Sequence, residues 1–236
     1  MNYVLMGDVH SQVEKFDAAV KWIDSNVDDY HIIQGGDLFD SRISESDSAG
    51  VLEIVKSLGD KITVLHSNHF WKLYRVLTNP ELDRPECILR TIEDFDSAYF
   101  DTWQKEIISW IENLPFGVSL RDNKGLEYRI AHAYWPSQLY VPENYGHMYK
   151  VNVVSGKTRG QMLYGLQKKG GVNERVEWWN TPYNNEFVRV AFHYHTISID
   201  PDGEKGNRHI ILDGSCGSDG GVLPIYELNA RRLTTF

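Results

Sequence analysis

The sequence is poor in cysteine. Cys87 and Cys216 are the two present among 236 residues, far apart and in no metal-ligand spacing. No disulfide scaffold is indicated, and a reducing compartment fits. Long apolar runs are also missing. No stretch approaches the ~20 residues that cross a bilayer, and the opening MNYVLMGD has no basic region ahead of an apolar one. A cytoplasmic protein without a membrane partner is the expectation. Positive charge is scarce too, with 24 Lys and Arg against 33 Asp and Glu, a net of −9. Such a chain repels long polyanions, so stable binding of duplex nucleic acid is not expected. Internal repeats, low-complexity tracts and clear linkers are absent. One domain over 1–236 is the economical reading.

What is present is a core. Hydrophobic residues make up 42 % and aromatics 12 %, which excludes global disorder. Tyr3 to Met6 is a short apolar run ended by Gly7 and Asp8, as in a buried strand. Ser11 to Glu14 spells S-x-x-E, which predicts a capping box opening a helix. Val13, Phe16, Val20, Ile23 and Val27 follow at helical spacing. His31 to Gln34 predicts a second strand, residues 47–58 a second helix, and Ile62 to Leu65 a third strand. This β-α-β-α-β order predicts a parallel sheet with polar site residues at the strand ends.

Residues 81–114 are acidic and predicted helical, with Trp103, Ile107, Ile108, Trp110 and Ile111 as an apolar stripe that reads as core. The second half carries strand signals at Tyr128–Ala131, Phe187–Ala191, His209–Leu212 and Val222–Tyr226. Between them, 136–185 is irregular and rich in Tyr, Trp, Asn and Gly.

Five short blocks concentrate chemistry. They are Gly7-Asp8-Val9-His10, Gly36-Asp37-Leu38-Phe39-Asp40, Ser67-Asn68-His69, Ala131-His132-Ala133 and His193-Tyr194-His195. Each alone is weak: a D-x-H after a strand is as readily a capped turn, and a lone buried histidine is more often a core residue. Together, in order and mostly at strand ends, they form an Asp, His and Asn set suited to Mn, Fe or Zn. A carboxylate such as Asp37 can bridge two metals, and two metals can clamp a phosphoryl group.

The order GDVH, GGDLFD, SNH, AHA, HYH resembles the calcineurin-like metallophosphoesterases, from Asp8 to about Leu228. The segment His209 to Gly217, followed by Gly220, Gly221 and Leu223, is similar to the branch with serine/threonine phosphatases, lambda-type phage phosphatases and diadenosine tetraphosphatases. Phe70-Trp71-Lys72-Leu73 also looks like that branch, and like the phosphatase module of bacterial polynucleotide kinase-phosphatases. The resemblance implies a four-layer α/β/β/α sandwich of two mixed sheets. It also implies two divalent ions, manganese first and iron or zinc as options. Asp8, His10 and His195 would hold one, and Asn68, His132 and His193 the other, with Asp37 bridging. His69 would be the general acid, Asp40 its orienting partner and Arg42 a phosphate contact. This sequence departs from the family pattern at Ser67, Phe70 and Phe192, and Arg42 falls one position late. These departures bear on local backbone geometry and on the substrate pocket.

The substrate is less legible. Lys157, Arg159, Lys168, Lys169 and Arg175 stand against the single acid Glu174 in 155–175, either lining the cleft or forming the wet face of a helix. Gly156-Lys157-Thr158 is no phosphate loop, because Val151 stands where its first glycine is required. Trp135, Tyr140, Tyr145, Tyr149, Trp178, Trp179 and Tyr183 either stack a substrate or pack a long loop. The expected activity is phosphomonoester hydrolysis similar to that of serine/threonine phosphatases, on a phosphoprotein or nucleotide. The rivals are a nucleotide or nucleic-acid-end phosphatase, a 2′,3′-cyclic phosphodiesterase or dinucleoside polyphosphate hydrolase, and a non-catalytic binding module.

Overall fold

The computed structural model describes residues 1–40, 46–167, 175–180, 186–203 and 208–236. Arg42, Lys168, Lys169, Glu174 and Tyr183 lie outside them. The first sheet holds β1 (Asn2–Met6), β2 (Tyr30–Gln34), β3 (Ile62–Val64), β10 (Pro224–Glu227) and β11 (Arg232–Thr235), in the order β11-β10-β1-β2-β3. β1, β2 and β3 run parallel, as the crossover helices α1 (Val13–Asn26) and α2 (Ser48–Leu58) require. β10 and β11 add antiparallel strands on the other side. The second sheet holds β4 (Gly117–Arg121), β5 (Glu127–Ala131), β6 (Met148–Val151), β7 (Val188–Ala191), β8 (Ile197–Asp200) and β9 (His209–Leu212), in the order β6-β4-β5-β7-β9-β8. Its centre, β5-β7-β9, is parallel and its flanks are antiparallel.

Side-chain alternation sorts the strands into layers. Tyr3, Leu5 and Ile33 of the first sheet pack on Val118, Ile130, Val190 and Ile210 of the second. The intervening residues Val4, Met6 and Ile32 pack outward on Phe16, Val51, Leu73, Phe95 and Ile107. These come from α1, α2, α3 (Asn68–Thr78), α4 (Glu86–Tyr99) and α5 (Trp103–Glu112). Strands buried on both faces need continuous apolar runs, which is why Tyr3–Met6 shows no polar alternation. The outer face of the second sheet has a thinner cover: α6 (Gly156–Tyr164) and a 3-10 turn at Trp178–Asn180, with Trp135, Trp178 and Trp179 buried. The result is the expected four-layer sandwich. The tryptophans of the irregular segment are packing residues.

Two local expectations change. The Ser11–Glu14 capping box does not form. α1 begins at Val13 with Gln12 as N-cap and no side-chain capping bond. Ser11 instead takes a φ of 61°, donates its N–H to the Leu38 carbonyl at 2.7 Å, and shares a hydroxyl hydrogen bond with Ser48 at 2.9 Å. It ties three loops together rather than starting the helix. The helical stretch at 81–114 is two helices, with a 3-10 turn at Phe100–Thr102 between them. The stripe residues Trp103, Ile107 and Ile111 are buried in the helical core, as expected.

Candidate metal centre

Each chemical block sits just beyond a strand. Asp8 follows β1, Asp37 follows β2, and Asn68 opens α3 after β3. His132 follows β5, and His193 follows β7. The carboxyl ends of two parallel-strand clusters therefore converge on one place. The loops there are tightly folded. His10, Asp37, Asp40 and His195 have φ values of 48°, 46°, 80° and 50°, in the left-handed region that non-glycine residues seldom adopt. Such conformations persist where surrounding contacts over-determine them, and they gather at functional sites.

Two groups of ligand atoms result, each with its members within 4.8 Å of one another. One is Asp8, Asp37, His132 and His193, all buried. The other is His10, Asp37 and His69. Asp37 belongs to both. Its Oδ2 lies 3.6 Å from His132 Nε2, 3.8 Å from His69 Nε2 and 3.9 Å from His10 Nε2. Asn68 Oδ1 is 2.9 Å from His132 Nε2. His195 stands apart from both groups. Its side chain is 55 % exposed, and it lines a small cleft with His10, Ser215 and Gly217.

The tautomers are set from behind. His132 Nδ1 donates to the Gly35 carbonyl at 2.8 Å, and His10 Nδ1 to the Asp40 carbonyl at 2.8 Å. In a neutral ring this leaves each Nε2 with a lone pair facing the carboxylates. A lone pair on His132 Nε2 beside the Asn68 oxygen is electrostatically sound when both face a cation. Asp8 Oδ1 and His193 Nε2 are buried and have no hydrogen-bond partner among the described residues. Orphaned acceptors are costly in a dry site. Two such atoms beside Asp37 fit a divalent ion well.

The electrostatics agree. Burial pushes the Asp8 carboxyl well above its ordinary value, and the Asp37 charge adds to this. Burial works against the Asp37 charge too, but His69, His132, His10 and His193 around it outweigh that and hold it well below the usual range. Burial, then the neighbouring His132, pulls His193 well down. Burial also lowers His132 and His10. His69 is the exception. Burial opposes its protonation, yet Asp37 and a hydrogen bond from Nδ1 to the Asp40 carboxylate raise it.

Three supports were not foreseen. Gln34 donates its amide to the Gly7 and Gly36 carbonyls at 3.1 and 2.6 Å and accepts from Gly36 N–H, joining the two aspartate loops. Asp213 accepts from the backbone N–H groups of Tyr194, His195 and Ser215 at 2.8, 2.6 and 2.9 Å, fixing the last histidine loop. Arg175 Nη1 reaches the His193 carbonyl at 3.5 Å. A signal for the first two was legible: a polar residue ending an otherwise apolar strand, in HIIQ and HIILD.

The three departures are absorbed locally. Ser67 Oγ accepts from Phe70 N–H at 3.2 Å and caps α3, while Gly36, at a φ of 97°, leaves room for its Cβ. Phe192 lies over Gly35, where any side chain would overlap its ring. Phe70 is buried against Phe39 and Trp110. None of the three displaces a candidate ligand.

Comparison with known proteins agrees with this geometry. No curated protein matches the chain in sequence. Among solved structures, a chain assigned as a diadenosine tetraphosphatase superposes with a TM-score of 0.54 at 16 % identity, covering 100 % of this chain and 92 % of that one. A protein serine/threonine phosphatase from Saccharomyces cerevisiae, with similarity to human phosphatase PP5, gives a TM-score of 0.54 at 11 % identity, covering 100 % of this chain and 79 % of that one. At such identities the likeness is one of fold. The sequence model of the calcineurin-like phosphoesterases matches residues 1–215, and the chain belongs to that family.

Proposed function

We propose that the protein is a two-metal phosphomonoesterase. Asp8, His10 and His195 would hold one divalent ion and Asn68, His132 and His193 the other, with Asp37 shared between them. Manganese is the first choice, with iron or zinc as alternatives. Bound ions supply charge for the phosphoryl oxygens and an activated hydroxide at neutral pH. The observation that carries this reading is the position of Asp37 in both ligand groups, with His69 beside it.

The chain's own residues do the rest. His69 holds a proton at Nε2 while Nδ1 is tied to Asp40, so it can protonate the departing oxygen. Asp40 keeps the ring oriented and offsets its charge. With two divalent ions in place, the carboxylates of Asp8 and Asp37 would leave the site net positive, which would attract a phosphate despite the acidic surface. Arg175, at the His193 carbonyl, adds a cation at the same mouth. Arg42 is assigned to phosphate contact from the family pattern alone. No helix among the described residues is long and apolar enough to cross a membrane.

The test is hydrolysis by metal-stripped protein refilled with manganese, iron or zinc, beside metal analysis. Turnover of p-nitrophenyl phosphate with two ions per chain supports the reading. Failure with every metal would leave a binding module in its place.

A further inference from the structure

The last turn of α6 touches both histidine loops of the second sheet. The Met162 carbonyl accepts from Ala133 N–H at 2.8 Å, one residue after His132. Gly165 then caps the helix at a φ of 79°. Tyr194, the residue between His193 and His195, lies against it, and any side chain at Gly165 would overlap the Tyr194 hydroxyl. The two loops are also joined to each other, because Phe192 N–H donates to the His132 carbonyl at 2.8 Å. One helix end therefore bears on three of the proposed ligands: His132, His193 and His195.

Tyr194 is seated in a fixed pocket. Its hydroxyl accepts from Trp178 Nε1 at 3.1 Å. Trp179 meets its ring edge to face, with centroids 4.7 Å apart and planes 72° apart. Both tryptophans are buried, so the pocket has little freedom of its own. The neighbouring histidines diverge from this anchor. His193 turns inward, its ring 4.7 Å from that of His132 and its ligand atom grouped with Asp8 and Asp37. His195, at a φ of 50°, turns into the small cleft beside His10. The backbone N–H groups of Tyr194 and His195 both donate to Asp213 Oδ2. A loop held by two bonds to one oxygen can still pivot about that oxygen. A large side chain locked behind it removes the pivot. A metal–nitrogen bond keeps within about 0.2 Å of one length, so even a small pivot weakens it.

We propose that Tyr194 is a positioning residue of the metal centre. Seated between Gly165, Trp178 and Trp179, it sets the directions of His193 and His195, and through it the outer layer of the second sheet governs metal affinity. This rests on the ligand assignment above. Tyr194 itself meets neither ion nor substrate in this role.

The experiment uses the metal-stripped full chain as wild type, Tyr194→Phe, Tyr194→Leu, Gly165→Ala and the double variant Gly165→Ala/Tyr194→Phe. Val118→Ala, in the core between the sheets, serves as the control for lost stability. Manganese is titrated by calorimetry, and amide exchange at residues 193–195 is followed without metal. Tyr194→Leu is expected to weaken at least one manganese ion about tenfold to a hundredfold, as when the support behind a ligand is removed. Tyr194→Phe should lose less. Val118→Ala should lower Tm and leave manganese affinity unchanged. Gly165→Ala should weaken manganese about tenfold in the wild-type background and much less in Tyr194→Phe, because the hydroxyl it displaces is then gone. Wild-type affinity in Tyr194→Leu overturns the inference, and so does an equal loss from Gly165→Ala in both backgrounds. If Tyr194→Leu does not fold, that cycle of milder variants decides alone. If the wild type binds no manganese, the ligand assignment fails separately. Amide exchange then decides the positioning role: faster exchange at residues 194 and 195 in Tyr194→Phe and Gly165→Ala, but not in Val118→Ala, supports it, and unchanged exchange sinks it.

Discussion

The two corners of the centre are made differently. The corner of Asp8, Asp37, His132 and His193 is fully buried and spans both sheets. Its side chains start one or two residues past β1, β5 and β7, or three past β2, so strand pairing fixes their positions. The corner of His10, His69 and His195 lies four or five residues past β1, β3 and β7, with His69 in the first turn of α3, and His195 reaches solvent. Placement by rigid strands suits groups that must hold an ion. Placement by capped turns suits groups that must meet a substrate and a proton. The difference separates ligands fixed by strand pairing from the proposed ligands His10 and His195, which sit beside the proton donor His69, so changes in the second corner are expected to reach turnover as well as metal content.

The largest expected effect lies where the corners meet. Asp37→Ala removes the shared carboxylate. With Asp37 serving as the bridge, kcat/KM should fall about 10⁴-fold or more, the loss of several kcal/mol of charge stabilisation. Metal analysis should show fewer than two ions per chain. A variant that keeps two ions and most of its activity would break the comparison at its centre.

Next is the open corner. His69→Ala should lower kcat about 10²–10⁴-fold on a substrate with a poor leaving group, with metal content unchanged. The loss should shrink on p-nitrophenyl phosphate, whose leaving group needs little protonation. An equal loss on both substrates would mean that His69 supports structure instead. Asp40→Asn keeps the shape but weakens the hold on His69, and about a 10–100-fold loss is expected. Asp213→Asn tests the loop of His193 and His195 in the same way, with a loss of similar size expected in activity or metal affinity.

The sequence made these corners unequally legible. Asp8, Asp37, Asn68, His132 and His193 stand out because an apolar run ends on a polar residue, and strand geometry then does the placing. His69 and Asp40 were found through family order, and their contact depends on a left-handed turn at Asp40 that no local pattern announces. β4, β6, β8 and β11 went unnoticed. β6 and β11 are edge strands with exposed positions, and they pair only because the neighbouring strand offers a ladder. α6 was equally quiet, since its glycines and weak amphipathicity give no 3.6-residue signal. Yet α6 brings Arg159 to Trp71, a contact 88 residues apart in sequence that packing alone creates.

Stability should divide along the same line. Burial raises the Asp8 carboxyl well above its ordinary value, with the Asp37 charge adding to it. For a group raised on folding, the stabilising contribution is present below the unfolded value of about 3.9 and is lost as pH rises through the folded value. Near pH 8 the metal-free protein therefore carries an unfavourable buried charge. Asp8→Asn should stabilise the metal-free protein there by roughly 1–3 kcal/mol. The gain should fade as pH drops and Asp8 takes up a proton. The same variant should lose the metal-induced rise in Tm. Thermal unfolding at pH 5 and pH 8, with and without manganese, checks both halves. A gain that grows toward acid would mean that the buried Asp8 charge does not destabilise the metal-free protein.

The smallest effect concerns how the open corner is anchored. Asp47 caps α2, its carboxylate accepting from Gly50 N–H at 2.7 Å, and its own N–H donates to the Ser11 carbonyl at 2.9 Å, one residue after His10. Asp47→Ala removes the side-chain cap but keeps the backbone bond. A loss of about 1 kcal/mol is expected, a drop in Tm of roughly 2–4 °C for a chain of this size. Ser11→Ala instead leaves the Ser48 hydroxyl without its buried partner, at a cost of about 1–3 kcal/mol. A working capping box would reverse that order of mechanisms, because Ser11→Ala would then act on the start of α1. Amide exchange separates the two. Protection lost at the first turn of α1 in Ser11→Ala would revive the capping box, whereas loss confined to the His10 loop and the start of α2 would place Ser11 among the contacts that hold the open corner in shape.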